Sequence, residues 1–168
     1  MTPPSTLVGR GMAALHVDGK PSCRPPATGR LLLATVLSIG ASLAADAALV
    51  ALGTKVFPST KGYVHFEFHD YARLTIIGVV IACAAWPVVA RLSSAPRWLF
   101  FRLALAVTAV LLLPDLYILH QGQPARAVCV LMLMHVAIGL LTYNLLVHVA
   151  PVRSRSESRS QNGSQPAA

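Results

Sequence analysis

Four ionisable side chains stand inside otherwise apolar stretches of this chain: Asp46, Arg73, Asp115 and His135. Carboxyl, guanidinium and imidazole groups can form ion pairs, pass protons or hold a ligand. In hydrocarbon a lone charge costs several kcal/mol, so such groups must pair or change protonation state. The expectation is that Arg73 pairs with Asp46 or Asp115. His135 then bonds the other carboxyl or the hydroxyls of Thr35, Ser38 and Ser42, which share one helical stripe with Asp46. A second cluster, His65, Glu67 and His69, has Zn²⁺-ligand types at a loose His-x-Glu-x-His spacing. A surface loop that happens to carry histidines is the commoner explanation of that pattern.

The elements that position these groups are apolar spans. Residues 127–149 read AVCVLMLMHVAIGLLTYNLLVHV, with His135 near the middle and Asn144 and His148 further on. At about 1.5 Å per residue this covers a hydrocarbon core of roughly 30 Å. Three further runs, at about 31–52, 71–92 and 98–119, have the same character. The expected fold is therefore all-α: a polytopic membrane protein, an antiparallel four-helix transmembrane bundle over residues 30–150. Gly53 is placed to end the first helix. Pro87 and Pro114 each remove a backbone bond within a span, and Trp86 is expected near the membrane boundary. Ser38, Ser42, Gly78, Ala82 and Gly139 are candidate packing positions, because small residues let helix backbones approach closely. Gly40, Ala44 and Ala48 form another smooth stripe. The longest loop, 54–70, alternates at its end as an extended strand would, or lies as an amphipathic segment on the membrane surface.

Composition agrees with this class. Of 168 residues, 55% are hydrophobic and only 12% charged, about half the charged share of a soluble domain. The formal net charge is +8, but the basic residues lie at span ends and in the flanking stretches, so lipid headgroups rather than nucleic acid are the expected partner. Residues 1–29 and 151–168 are polar and read as disordered tails. Ten Lys and Arg residues fall in the tails and the 93–97 turn or beside it, against four on the other side. The positive-inside rule then puts both termini in the cytoplasm of a multi-pass protein of the cell membrane. The three cysteines fit no disulfide framework or metal motif.

Counting helical rise from the span ends places Asp46, Arg73, Asp115 and His135 in the outer half of the bundle, one from each helix. Deeper in, only Asn144, His148 and the snorkelling Arg102 remain, and no polar chain is seen to continue to the cytoplasm. Three readings follow: a structural polar clamp that fixes helix register, a proton or ion pathway, or an outward-opening site for a metal, haem or quinone-like ligand. A haem between helices needs facing histidines, and the first three spans have none. No Ser/His/Asp, HExxH, P-loop or Gly-x-Gly-x-x-Gly pattern is present. An enzymatic role is the less favoured one, and no cofactor is expected.

Ala85-Trp86 followed by Arg91, Pro96-Arg97 at the second turn, Pro114 late in the third span and Met134-His135 in the fourth carry a resemblance. Over residues 30–150 the layout resembles a family of small four-helix actinobacterial membrane proteins of unknown function. The resemblance implies no activity or ligand. The expected role is a non-enzymatic accessory or scaffold within a cell-envelope assembly, in contact with lipid, with other membrane proteins or with copies of itself. The alternative is a proton- or ion-coupled transport component built on the Asp/Arg/His cluster, and the third choice is a membrane redox or metal-binding protein.

Overall fold

The structure is a computed structural model, and it describes residues 23–154. Of the expected tails, 1–29 and 151–168, residues 1–22 and 155–168 lie outside the described residues. Four long helices make up the rest: α1, Thr28–Val56; α2, Phe68–Leu92; α3, Pro96–His120; and α4, Ala125–Val149. All four are long and apolar enough to cross a membrane. The all-α four-helix fold expected from the sequence is what is found.

Short connections force the helices to alternate in direction. Residues 93–95 join α2 to α3, with the Ala95 amide donating to Ser93 Oγ at 3.1 Å before Pro96 opens the next helix. Proline suits that first position because its missing N–H would be unpaired there in any case. Residues 121–124 join α3 to α4 through Gly122, whose φ of 85° lies in the left-handed region that glycine tolerates. The α1–α2 connection is longer and carries two 3₁₀ turns, Pro58–Thr60 and Val64–Phe66. The two ends of the bundle are thus distinct: a loop end, holding residues 57–67 and 121–124, and a terminal end. At the terminal end Cys23–Arg24 and Arg153–Ser154 pair as a two-residue antiparallel bridge. The sequence reading had assigned both segments to tails. The backbone pairing of the chain's two flanks is invisible to composition.

Two expectations, for Gly53 and for the end of the 54–70 loop, are corrected, and the place of Trp86 is defined. Gly53 does not end α1; the helix runs three residues further, and a Cβ at 53 would meet Val130 Cγ2 at 2.8 Å. Glycine is there for the close approach of α1 to α4. Trp86 is fully buried in the bundle rather than on its surface: its Nε1 donates to Ala150 O, just past the end of α4, at 2.8 Å, and its ring packs on Phe100 at 4.9 Å. The end of the 54–70 loop is not an extended strand, since residues 64–66 coil and α2 begins at Phe68.

The interior is layered. One apolar cluster at the terminal end joins Ala34, Val79, Cys83, Trp86, Phe100, Leu146 and Val147. Another at the loop end joins Tyr71, Ala72, Val130, Leu131 and Met134, with Tyr63, Phe66 and Ile118 packed on it. Between and beside these lie buried polar residues from all four helices: Ser38, Ser42 and Asp46 of α1, Thr75 of α2, Asp115 of α3 and Thr142 of α4. α1 and α4 make the most extensive pairing, and α1 turns Ala34, Ser38, Ser42, Asp46 and Gly53 inward, close to a four-residue repeat.

Candidate functional site

The polar layer is assembled from pairs that cross between helices. Asp46 on α1 is fully buried, and its Oδ2 accepts from Thr75 Oγ1 on α2 at 2.7 Å. Asp115 on α3, 5% exposed, has its Oδ2 3.0 Å from His135 Nδ1 on α4. The same nitrogen lies 3.0 Å from Leu131 O, one turn back along α4. Both neighbours accept hydrogen bonds, so the ring form with hydrogen on Nδ1 satisfies the pair. That N–H points at the Leu131 carbonyl, and Asp115 Oδ2 sits close but off its axis, without a hydrogen bond of its own. Its attraction to the ring is therefore electrostatic, and strongest when the ring is an imidazolium. His135 also acts electrostatically on Asp46, which links the two pairs into one cluster.

The loop end covers this cluster. Tyr63 packs on the apolar cluster of Tyr71, Ala72, Val130, Leu131 and Met134. Its hydroxyl is buried without a hydrogen bond. Burial pushes its phenol above the usual 10.0, and the Asp115 charge adds to the shift. His65 lies edge-on to Tyr63 at 5.3 Å and reaches Asp70 Oδ2 at 3.7 Å.

The ionisable residues singled out from the sequence fall into two groups. Asp115 and His135 meet, and Asp46 lies within electrostatic reach of His135. Arg73 does not join them: its side chain is exposed and, among the described residues, makes no ion pair. The expected pairing of Arg73 with a carboxyl is thus replaced by Asp46–Thr75 and Asp115–His135. Two residues of helical spacing separate Arg73 from Thr75, so when Thr75 faces the interior Arg73 is turned well away from it. His65, Glu67 and His69 are all exposed and are split between a 3₁₀ turn and the start of α2. Among the described residues no three His, Cys, Asp or Glu side chains gather as metal ligands would.

The packing positions divide likewise. Ser38 and Ser42 are fully buried. At Gly139 a Cβ would meet Thr108 Oγ1 at 2.6 Å, so α3 and α4 touch there. Ala82 is half-buried, while Gly78 is exposed with nothing within 4 Å of a Cβ. Gly40, Ala44 and Ala48 also face outward.

Three features were missed. Thr75 was seen only as a small residue. Tyr63 had no periodic signal at all, standing in an irregular loop. The Thr142 hydroxyl is the third; with Ser38 and Ser42, whose stripe with Asp46 the sequence displays, it continues the polar layer toward the terminal end.

With this geometry in hand, comparison with known proteins gives a family. A model described as a family of unknown function, DUF6069, matches residues 22–151. The chain belongs to that family. The match spans all four helices and Cys23–Arg24 but stops short of Arg153–Ser154, so the polar layer lies wholly within the matched residues. No curated protein and no solved structure matches the chain.

Proposed function

We propose that this small multi-pass membrane protein is a non-enzymatic accessory or scaffold of a cell-envelope assembly, its four helices locked in register by the buried polar layer. The observation that carries this is the pairing itself. Asp46–Thr75 ties α1 to α2, and Asp115–His135 ties α3 to α4, so each helix contributes a polar contact. A one-turn slip of any helix would strand a carboxyl or an imidazole in hydrocarbon, and that cost selects one register.

The outward surface supports an assembly role. No more than a third of any span is buried within the bundle. Gly40, Ala44 and Ala48 present a smooth outward face, and Asn144 and His148 stand exposed on α4. Asn144 and His148 turn back to the Leu140 and Asn144 carbonyls at 2.8 Å each. Both termini on the cytoplasmic side, as the positive-inside rule has it, would put the loop end and its Tyr63 cover outside.

The test has two parts. Asp115→Asn and His135→Gln are each expected to lower thermal stability in bilayers, and the double variant to be little worse than either single. Equal stability of all three with the native chain would remove the clamp. Mild extraction after crosslinking in native membranes is expected to recover the chain in a complex of defined larger mass; recovery as a free chain would remove the assembly role.

A further inference from the structure

Among the described residues, six buried side-chain oxygens have no hydrogen-bond partner: Ser38 Oγ, Ser42 Oγ, Asp46 Oδ1, Tyr63 OH, Asp115 Oδ2 and Thr142 Oγ1. They are not scattered. Residues 38, 42 and 46 follow one face of α1, Thr142 shares the inward face of α4 with His135, and Tyr63 and Asp115 stand at the loop end. A register clamp alone would have no reason to leave so many oxygens unpaired, since each buried oxygen without a partner is destabilising.

Charge balance sharpens the point. With every group ionised, the interior would hold two carboxylates, Asp46 and Asp115, against one imidazolium, His135; Arg73 faces outward. His135 lies against Asp115. Asp46 has only the neutral Thr75 hydroxyl as a bonded partner. One positive charge is needed to balance it. A metal cation such as Na⁺ would need several oxygens around one point, yet Ser42 and Ser38 lie about 6 and 12 Å along the α1 axis from Asp46. A single proton meets the need without such a cage.

The surroundings decide where that proton enters. Tyr71 of α2 and His135 of α4 are the titratable groups in electrostatic reach of Asp46; Tyr63 and His65 of the loop stand in reach of Asp115. At the terminal end the apolar layer of Trp86, Phe100 and Leu146 closes the interior. At the loop end the exposed His65 ring packs edge-on against Tyr63, which packs on the apolar cluster of Leu131 and Met134 and stands in electrostatic reach of Asp115, the partner of His135.

We propose that Asp46 is an exchangeable proton site, loaded from the loop-side aqueous phase by way of His65, Tyr63 and the Asp115–His135 pair, and closed to the terminal side. Loading moves one proton from bulk water to the Asp46 carboxylate and neutralises it; unloading returns it by the same route. The protein thereby registers the acidity of one face of the membrane only, which goes beyond a structural clamp.

The test is infrared difference spectroscopy of the whole chain reconstituted in lipid vesicles of known orientation. The native protein is expected to show a carboxylic-acid carbonyl band that grows as the loop-side buffer is acidified at fixed terminal-side pH, and not in the reverse arrangement. Asp46→Asn should lose the band with the amide bands unchanged. Tyr63→Phe should keep the band but slow its deuterium exchange by about a hundredfold, the scale of a lost proton-transfer partner. Should Asp46→Asn fail to fold, the native titration and Tyr63→Phe decide. Absence of an acid band in the folded native protein would overturn the proposal. So would equal response from both sides, exchange unaffected by Tyr63→Phe, or displacement of the band by Na⁺ at constant pH.

Discussion

Thr75 holds the fully buried Asp46 by a single 2.7 Å bond between α1 and α2. Thr75→Val keeps shape and removes the donor, and is expected to cost about 0.6–1.7 kcal/mol, the range of interhelical hydrogen bonds in membranes. Thr75→Ser should restore most of it; the measurement is unfolding in bilayers or mild detergent. Tyr63 gives a pH-dependent companion. Its phenol lies above 10.0 in the folded protein because it is buried and stands near Asp115. The folded state therefore keeps that proton longer than the unfolded chain does. Stability linked to Tyr63 is complete below about pH 10 and is lost as pH rises through the folded value. Thermal scans against pH should show the native protein losing Tm in that alkaline range and Tyr63→Phe losing less. At this scale the sequence displays the carboxyls and the imidazole, because charged groups stand out in apolar runs. It does not display their partners. Thr75 and Tyr63 are ordinary residue types whose role depends on which helix or loop lies opposite.

Helix contacts turn on where backbones come close. A Cβ at Gly139 would meet Thr108 Oγ1 at 2.6 Å, and one at Gly53 would meet Val130 at 2.8 Å, whereas Gly78 has open space. Gly139→Ala and Gly53→Ala are expected to destabilise by about 1–3 kcal/mol through overpacking. The larger cost belongs to Gly53→Leu. Gly78→Ala should be neutral or stabilising by up to about 1 kcal/mol, since alanine is the better helix former. Unfolding midpoints of the three variants distinguish crossing points from outward-facing glycines. Span existence and approximate bounds are legible in the sequence because hydrophobic runs are a local property. Which small residue faces a neighbour is not, since Gly78 and Gly139 read alike until the helix rotation is known. Trp86 makes the same point: its residue type does not tell that its N–H finds the Ala150 carbonyl beyond the end of α4 with the ring buried among the helices.

At the scale of the molecule, two apolar clusters enclose a polar layer, and the chain's two flanks meet at one end. Hydropathy alone suffices for the four-helix class, and the odd number of connections puts both ends on one face. What hydropathy does not carry is the depth profile of the interior, because serines and threonines barely alter a span's mean value while their hydroxyls line its core. Deleting the register contacts should therefore loosen the whole bundle rather than one helix. The measurement that bears most directly on this account is a solid-state NMR distance between the Asp115 carboxyl and His135 Nδ1 in lipid bilayers. A strong carbon–nitrogen dipolar coupling, matching the 3.0 Å Oδ2–Nδ1 approach, is the predicted result. No measurable coupling in the folded protein, with each group facing lipid, would contradict it.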